Sequence, residues 1–232
     1  MLRVLGRLLR WLALLLLGLV LASVGWAAAY RWIDPPTTFL MLRDRAEGRR
    51  IAHEWVPLDA MAPALPRAVI AAEDSRFCQH RGFDLQAIEA ARKANAQGRR
   101  LRGASTISQQ TAKNVFLWPA RTWLRKGLEA WFTLLIEQLW GKRRIMEVYL
   151  NVIETGPATF GMEAAARRHF GKPASAVSER EAARLAAILP QPIERSASAP
   201  GRFTRRYART IDRRIDVVRA DALDACLRRA GA

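Results

Sequence analysis

Three short stretches of the chain hold side chains suited to chemistry. The first is "GASTISQQTAKNVF", residues Gly103 to Phe116, where Ser105, Thr106, Ser108, Gln109, Gln110 and Asn114 are uncharged hydrogen-bonders and Lys113 is the only ion. A solvated helix face would alternate Glu and Lys, so this composition suits gripping a polar ligand better than solubility alone. The second is "AAEDSRFCQHRG", which sets Glu73 and Asp74 directly after apolar residues. A carboxylate there is either an ordinary helix-end acid or one whose basicity partial burial can tune. The third is "RTWLRKGLEAW", where Arg121, Arg125 and Glu129 follow each other at intervals of four and share one helix face. On its own that spacing is a common salt-bridge ladder of small value.

Taken together, these stretches offer two acids, Glu73 and Glu129, flanked by Lys113, Arg121, Arg125 and Lys126. Paired acids would serve hydrolysis of a sugar bond. The cations point elsewhere: a neutral leaving group has no use for a basic wall, whereas a departing pyrophosphate needs positive charge where negative charge develops.

The elements that must position these groups read as helices. Leu65, Val69, Ile70 and Ala72 recur at helical spacing, with Pro66 tolerable in the first turn. "DLQAIEAARKANAQG" predicts a helix with Asp84 as N-cap and Gly98 as its stop, then a basic loop "RRLRG" before Ser105 caps the polar helix. From Thr122 to Leu139, residues Leu124, Leu128, Trp131, Phe132, Leu135 and Leu139 form an apolar stripe expected to face the core. "RRIMEVYLN" and "GMEAAARRHFG" supply two short helices, and Ser178 with Glu181 forms a capping box for another. Arg202 to Arg229 reads as a basic, weakly amphipathic surface helix. No segment alternates long enough to predict a sheet of consequence.

From Trp11 to Tyr30 no residue is charged, a length that spans about 30 Å as a helix. Arg3, Arg7 and Arg10 precede it, so the positive-inside rule keeps residues 1–10 in the cytoplasm and exports the chain beyond the apolar run. A retained anchor over 11–30 is expected rather than a cleaved signal peptide, because the apolar run is long for one, although "WAAAY" offers a cleavage-like site. Residues 31–63, with "DPPTT" and "PLDAMAP", read as an extended juxtamembrane stalk with little core of its own, and 64–232 as one exported domain. Three of the net +17 charges lie in the first ten residues, so the exported part carries +14 and should seek anionic surfaces. For a tethered, exported chain those are lipid head groups and lipid-linked substrates, not nucleic acid. Cys78 and Cys226 would meet an oxidising compartment, and whether they pair is open. His53, His80 and His169 lack zinc-site spacing, so no structural metal is expected.

In order and spacing, "EDSRFCQHRG", "GASTISQQTAKN", "RKGLE", "RRIMEVYLN" and "GMEAAARRHFGK" resemble the five motifs of the peptidoglycan glycosyltransferases, glycosyltransferase family 51, over about Leu65 to Pro192. With one anchor and no length for a transpeptidase domain, the likeness is to a monofunctional member. The resemblance implies an all-α, lysozyme-like domain behind a single transmembrane helix, in the bacterial inner membrane, polymerising lipid II into glycan strands. It implies Glu73 as general base toward the acceptor hydroxyl and Glu129 as a second acid at the pyrophosphate. It further implies that Lys113, Arg121, Arg125 and Lys126 bind the diphosphate, while Ser105, Thr106, Gln109, Gln110 and Asn114 hold sugar and phosphate. A Mg or Mn ion at the pyrophosphate is allowed but not required. Expected partners are lipid II, the growing strand, membrane lipid, and other wall synthases and divisome proteins. The chain departs from the commoner pattern at Ser108, often Thr in the family, and at Cys78 within the first motif. Apolar residues of the stalk and of Gly82 to Arg102 are candidates for dipping into the bilayer, with Phe83 and Ile88 expected in the core.

Overall fold

The computed structural model describes residues 2–97 and 105–228, so the expected stop at Gly98, the loop "RRLRG" and the end of the last helix at Arg229 lie outside the described residues. Ten α-helices account for most of it. Helix α1 (Leu2–Ala29) runs unbroken through both the expected cytoplasmic arm and the expected anchor. Helices α2 (Phe39–Ala46), α3 (Ala64–Glu73), α4 (Leu85–Ala96), α5 (Ile107–Phe116) and α6 (Trp123–Leu139) follow. Then come α7 (Lys142–Val152), α8 (Met162–Phe170), α9 (Glu179–Ile188) and α10 (Arg202–Ala220).

The core lies where α3, α5, α7 and α9 meet, and α7 and α9 are buried almost along their length. Helix α4 has Asp84 as its N-cap, as the spacing predicts, but buries only Ala91. Ile88 is exposed rather than in the core, and Phe83 is half-buried.

Residues 31–63 are not an extended stalk. Thr38 caps α2, Met41 and Asp44 are buried in it, and Leu58, Met61 and Ala62 belong to the core. A small sheet in the order β1-β3-β2 joins this segment to the rest: β1 (Ala52–His53) pairs parallel with β3 (Thr159–Phe160), which pairs antiparallel with β2 (Glu154–Gly156). Asn151 of α7 completes the attachment, accepting from Val56 N–H and donating to Val56 O, both at 2.9 Å. Glu147 accepts from Leu58 N–H at 2.9 Å.

Helix α6 meets the core with most of the expected stripe: Phe132 is buried, and Leu128, Trp131, Leu135 and Leu139 pack against the core cluster. Glu129, Thr133 and Ile136 are buried as well, whereas Leu124 is 70% exposed. The same helix also contacts α1, where Trp131 Nε1–H donates to Ser23 Oγ at 3.0 Å and Trp140 Nε1–H, just past α6, donates to Ala27 O. Trp26 of α1 packs edge-on against Phe116 and Phe132, whose rings stack 4.4 Å apart. Arg144 closes the junction by donating to the carbonyls of Tyr30 and Ile33 beyond the end of α1. The N-terminal helix is therefore seated in the domain at its last turns.

Helix α10 is strongly amphipathic, not weakly so. It buries Thr204, Ala208, Ile211, Ile215 and Val218 against α3 and α9. Cys78, within the first motif, is disulfide-bonded to Cys226 across 148 residues.

Candidate active site

Glu73 is the last residue of α3, and the chain leaves the helix at once through Asp74. Asp74 is buried, accepting from Ile107 N–H at 3.0 Å while its Oδ2 lies 2.9 Å from His80 Nε2. This ties the first motif to the start of α5, where an orphan backbone donor is satisfied by a carboxylate. Gly82 completes the turn with φ +89°, and a Cβ there would meet Thr133 Cγ2 at 2.8 Å. Only glycine suits both constraints.

Thr106, not Ser105, is the N-cap of α5. Its hydroxyl accepts from Gln109 N–H at 3.1 Å and donates to Gly82 O at 2.6 Å, while Gln109 Oε1 accepts from Thr106 N–H at 3.1 Å. Both side chains are buried, and the Thr106 hydroxyl and the Gln109 oxygen hold the start of the helix through this capping box. Ser105 is exposed at the entry to the helix. Ser108 is fully buried and donates to Glu137, which also pairs with Lys142 at 2.7 Å.

Further along α5, Gln110 donates its amide to Glu73 Oε2 at 2.9 Å and accepts from Tyr149 O–H at 3.2 Å. Tyr149 of α7 thereby sets which way the Gln110 amide points, a role that sequence reasoning missed. Its motif was visible, but nothing in the spacing says that this tyrosine reaches α5. Burial pushes the Glu73 carboxyl above the usual carboxylate range; the Gln110 bond opposes this, Asp74 adds to it and Lys113 opposes it. Tyr207 of α10 donates to Ala72 O at 3.1 Å and backs the end of α3.

One turn beyond Gln110, about 5 Å along the helix, Lys113 and Asn114 line a pocket of about 460 Å³ with Leu40, Trp118, Arg121 and Arg125. Leu40 comes from α2, inside the segment expected to be a stalk, and no sequence signal marks it as a wall of the site. Lys113 keeps solvent contact, yet protein atoms crowd it. That crowding holds its pKa below the usual lysine range, with Glu129 pulling upward and Arg125 and Lys126 downward. Behind the pocket, Glu129 is buried and saturated: Arg125 donates to Oε2 at 2.8 Å and Lys126 to Oε1. Arg125 Nε is buried with no hydrogen-bond partner among the described residues. Glu154 of β2 faces the same region; burial raises its pKa, as does Asp44, while Arg43, Arg49 and Lys113 act against the rise.

The structure thus bonds Glu73 to Gln110 on α5, one turn from the pocket that Lys113, Asn114, Arg121 and Arg125 line, with Glu129 pairing Arg125 and Lys126 on α6. Among the described residues no group of three or more His, Cys, Asp or Glu side chains could hold a metal ion. Both Glu129 oxygens already face cations, Arg125 at Oε2 and Lys126 at Oε1.

Residues 42–216 match the family model described as Transglycosylase. The chain belongs to the transglycosylase family. It is 58% identical over 222 residues to the biosynthetic peptidoglycan transglycosylase of Rhodospirillum centenum, covering 95% of this chain and 96% of that one. The protein of the same name from Caulobacter vibrioides is 52% identical over 226 residues, 97% and 99% of the two chains. That from Pseudomonas aeruginosa is 51% identical over 199 residues, 83% and 86%. As a transglycosylase the chain is a glycosyltransferase of peptidoglycan synthesis, and its site is to be read as one for glycosyl transfer. The family match begins at residue 42, within the segment that the fold also draws into the domain.

Proposed function

We propose that this transglycosylase polymerises lipid II into β-1,4-linked glycan strands, inverting the anomeric carbon and releasing undecaprenyl diphosphate. Glu73 takes the proton from the 4-hydroxyl of the acceptor sugar as its oxygen bonds to the donor's anomeric carbon. The bond from that carbon to the diphosphate breaks, and the diphosphate keeps the electron pair. Lys113, Arg121 and Arg125 stabilise the negative charge where it develops. Glu129 holds Arg125 and Lys126 in place, and Gln110 orients the base.

The observation that carries this reading is the pairing of a raised-pKa carboxylate with a cationic pocket one helical turn away. The unpartnered Arg125 Nε supports it, since a buried donor without a partner calls for an acceptor. Helix α1 is long and apolar enough to cross a membrane. With Arg3, Arg7 and Arg10 inside, it holds the groove at the outer face of the cytoplasmic membrane, in the plane of a lipid-linked substrate.

Polymerisation of labelled lipid II by the detergent-purified full-length protein tests this, beside Glu73→Gln. The wild type makes long strands, and the substitution lowers turnover by about 10²–10⁴-fold without unfolding the domain. Intact lipid II with shortening of pre-formed strands would mark a lytic enzyme instead. Inertness toward both would leave a scaffold for wall synthesis.

A further inference from the structure

Helices α9 and α10 enclose a second charged pocket that the reaction above does not use. Arg180 and Arg184 of α9 and Arg205 and Arg209 of α10 surround about 370 Å³, with half-buried Asp212 the one acid in the lining. On each helix the arginines are four residues apart and share a face, and buried Ala208 lets the two helices approach. Like charges at this spacing repel, on each helix and across the groove. Several arginines elsewhere are matched with acids, Arg67 with Asp224 at 2.7 Å, Arg144 with Glu147 at 2.6 Å and Arg167 with Glu163 at 2.7 Å, and those without an acid partner do not gather four around one recess. Among the described residues, none of these four arginines makes an ion pair, nor does Asp212.

Four guanidiniums facing a single acid around one recess raise the local potential and, although Arg205 already donates to Pro200 O at 3.2 Å, present planar forks suited to carboxylates. We propose that this pocket binds the free carboxylates of the peptide branches on the nascent glycan strand, holding the product while the next unit is added. The inference rests on the glycosyltransferase reading for the identity of the strand. A soluble polyanion fits better than a lipid head group. Helices α9 and α10 pack chiefly on each other and on α3, whereas α1 packs on α6, and the exposed Trp118, Trp123 and Leu124 lie at the α6 end. Tyr207, on α10 between Arg205 and Arg209, bonds the carbonyl of Ala72 next to Glu73, so the helix that carries half of the pocket also backs the end of α3.

The test uses full-length protein in detergent, labelled soluble glycan strands with their peptides, and the same strands stripped of peptides by an amidase. The comparison is between wild type and an Arg184→Gln, Arg209→Gln double variant, both exposed positions outside the catalytic groove. Peptide-bearing strands bind the wild type with an affinity that falls as salt rises. Stripping the peptides, or making the double variant, weakens binding by about tenfold. The double variant starts polymerisation at the wild-type rate but yields shorter strands. Equal binding of both strand types, or of both proteins, would overturn the inference. So would a double variant that keeps strand binding but loses binding to phosphatidylglycerol vesicles, which would make this a head-group site. Strand binding needs no turnover, so it reads the pocket separately. A wild type that makes no polymer counts against the proposed reaction alone.

Discussion

Glu73 and Gln110 show how little separates an ordinary helix-end acid from a base. The bond from the Gln110 amide favours the charged carboxylate, while burial and Asp74 favour the neutral acid, and burial dominates. Because a base must be ionised to accept a proton, turnover falls as pH drops through the raised Glu73 pKa. Gln110→Ala removes a bond to the charged form, so the acid limb of the pH–rate profile moves to higher pH. Polymerisation of lipid II below neutral pH drops by about tenfold, recovering as pH rises. Tyr149→Phe leaves the Gln110 amide free to rotate and shifts the limb in the same direction by less. Profiles that keep the wild-type limb in both variants would show that Gln110 does not orient the base.

At the scale of elements, α6 acts on α5 through charge. Glu129 is buried on α6, pairs with Arg125 and Lys126, and holds up the pKa of Lys113 across the pocket. Burial and the two neighbouring cations pull the other way. Glu129→Gln therefore leaves only Glu154 opposing the positive charges around Lys113, and its pKa falls further. The loss of activity on the alkaline side then begins at lower pH than in the wild type, measurable in the same assay. An unchanged alkaline limb would mean that Lys113 carries no needed charge. The helix stripe through Leu124 and Leu128 shows the limit of periodicity. The period is helical and most of that face meets the core, but Leu124 is exposed and part of the face also meets α1, which lies about a hundred residues earlier.

Over the whole molecule, the Cys78–Cys226 disulfide joins the loop after Glu73 to the short 3-10 turn Ala225–Leu227 that follows α10. The same loop carries His80, the partner of Asp74. Cys78→Ser releases a closure of 148 residues and lowers stability by about 2–5 kcal/mol, read as a lower thermal midpoint in detergent. A reducing agent lowers the wild-type midpoint to match and leaves the variant unchanged. Equal midpoints for oxidised wild type and variant would mean that packing of α10 on α3 suffices.

Most of the helices and the two acids were legible in the sequence because they depend on neighbours three or four residues away. Asp84, the Ser178 and Glu181 box and the α3 core face are of this kind. Contacts across long stretches of chain were not legible. Residues 31–63 read as a stalk because Pro and clustered Arg mark their local pattern, yet Asn151, Glu147 and Thr159 supply the partners that order them. Thr106 and Gln109 looked like ligand grips because composition shows which side chains can bond, not whether a capping box has already used them. Local chemistry thus set the inventory of acids, cations and helices. The tertiary structure decided which of them share a groove, since burial and pairing belong to surfaces that only the folded chain brings together.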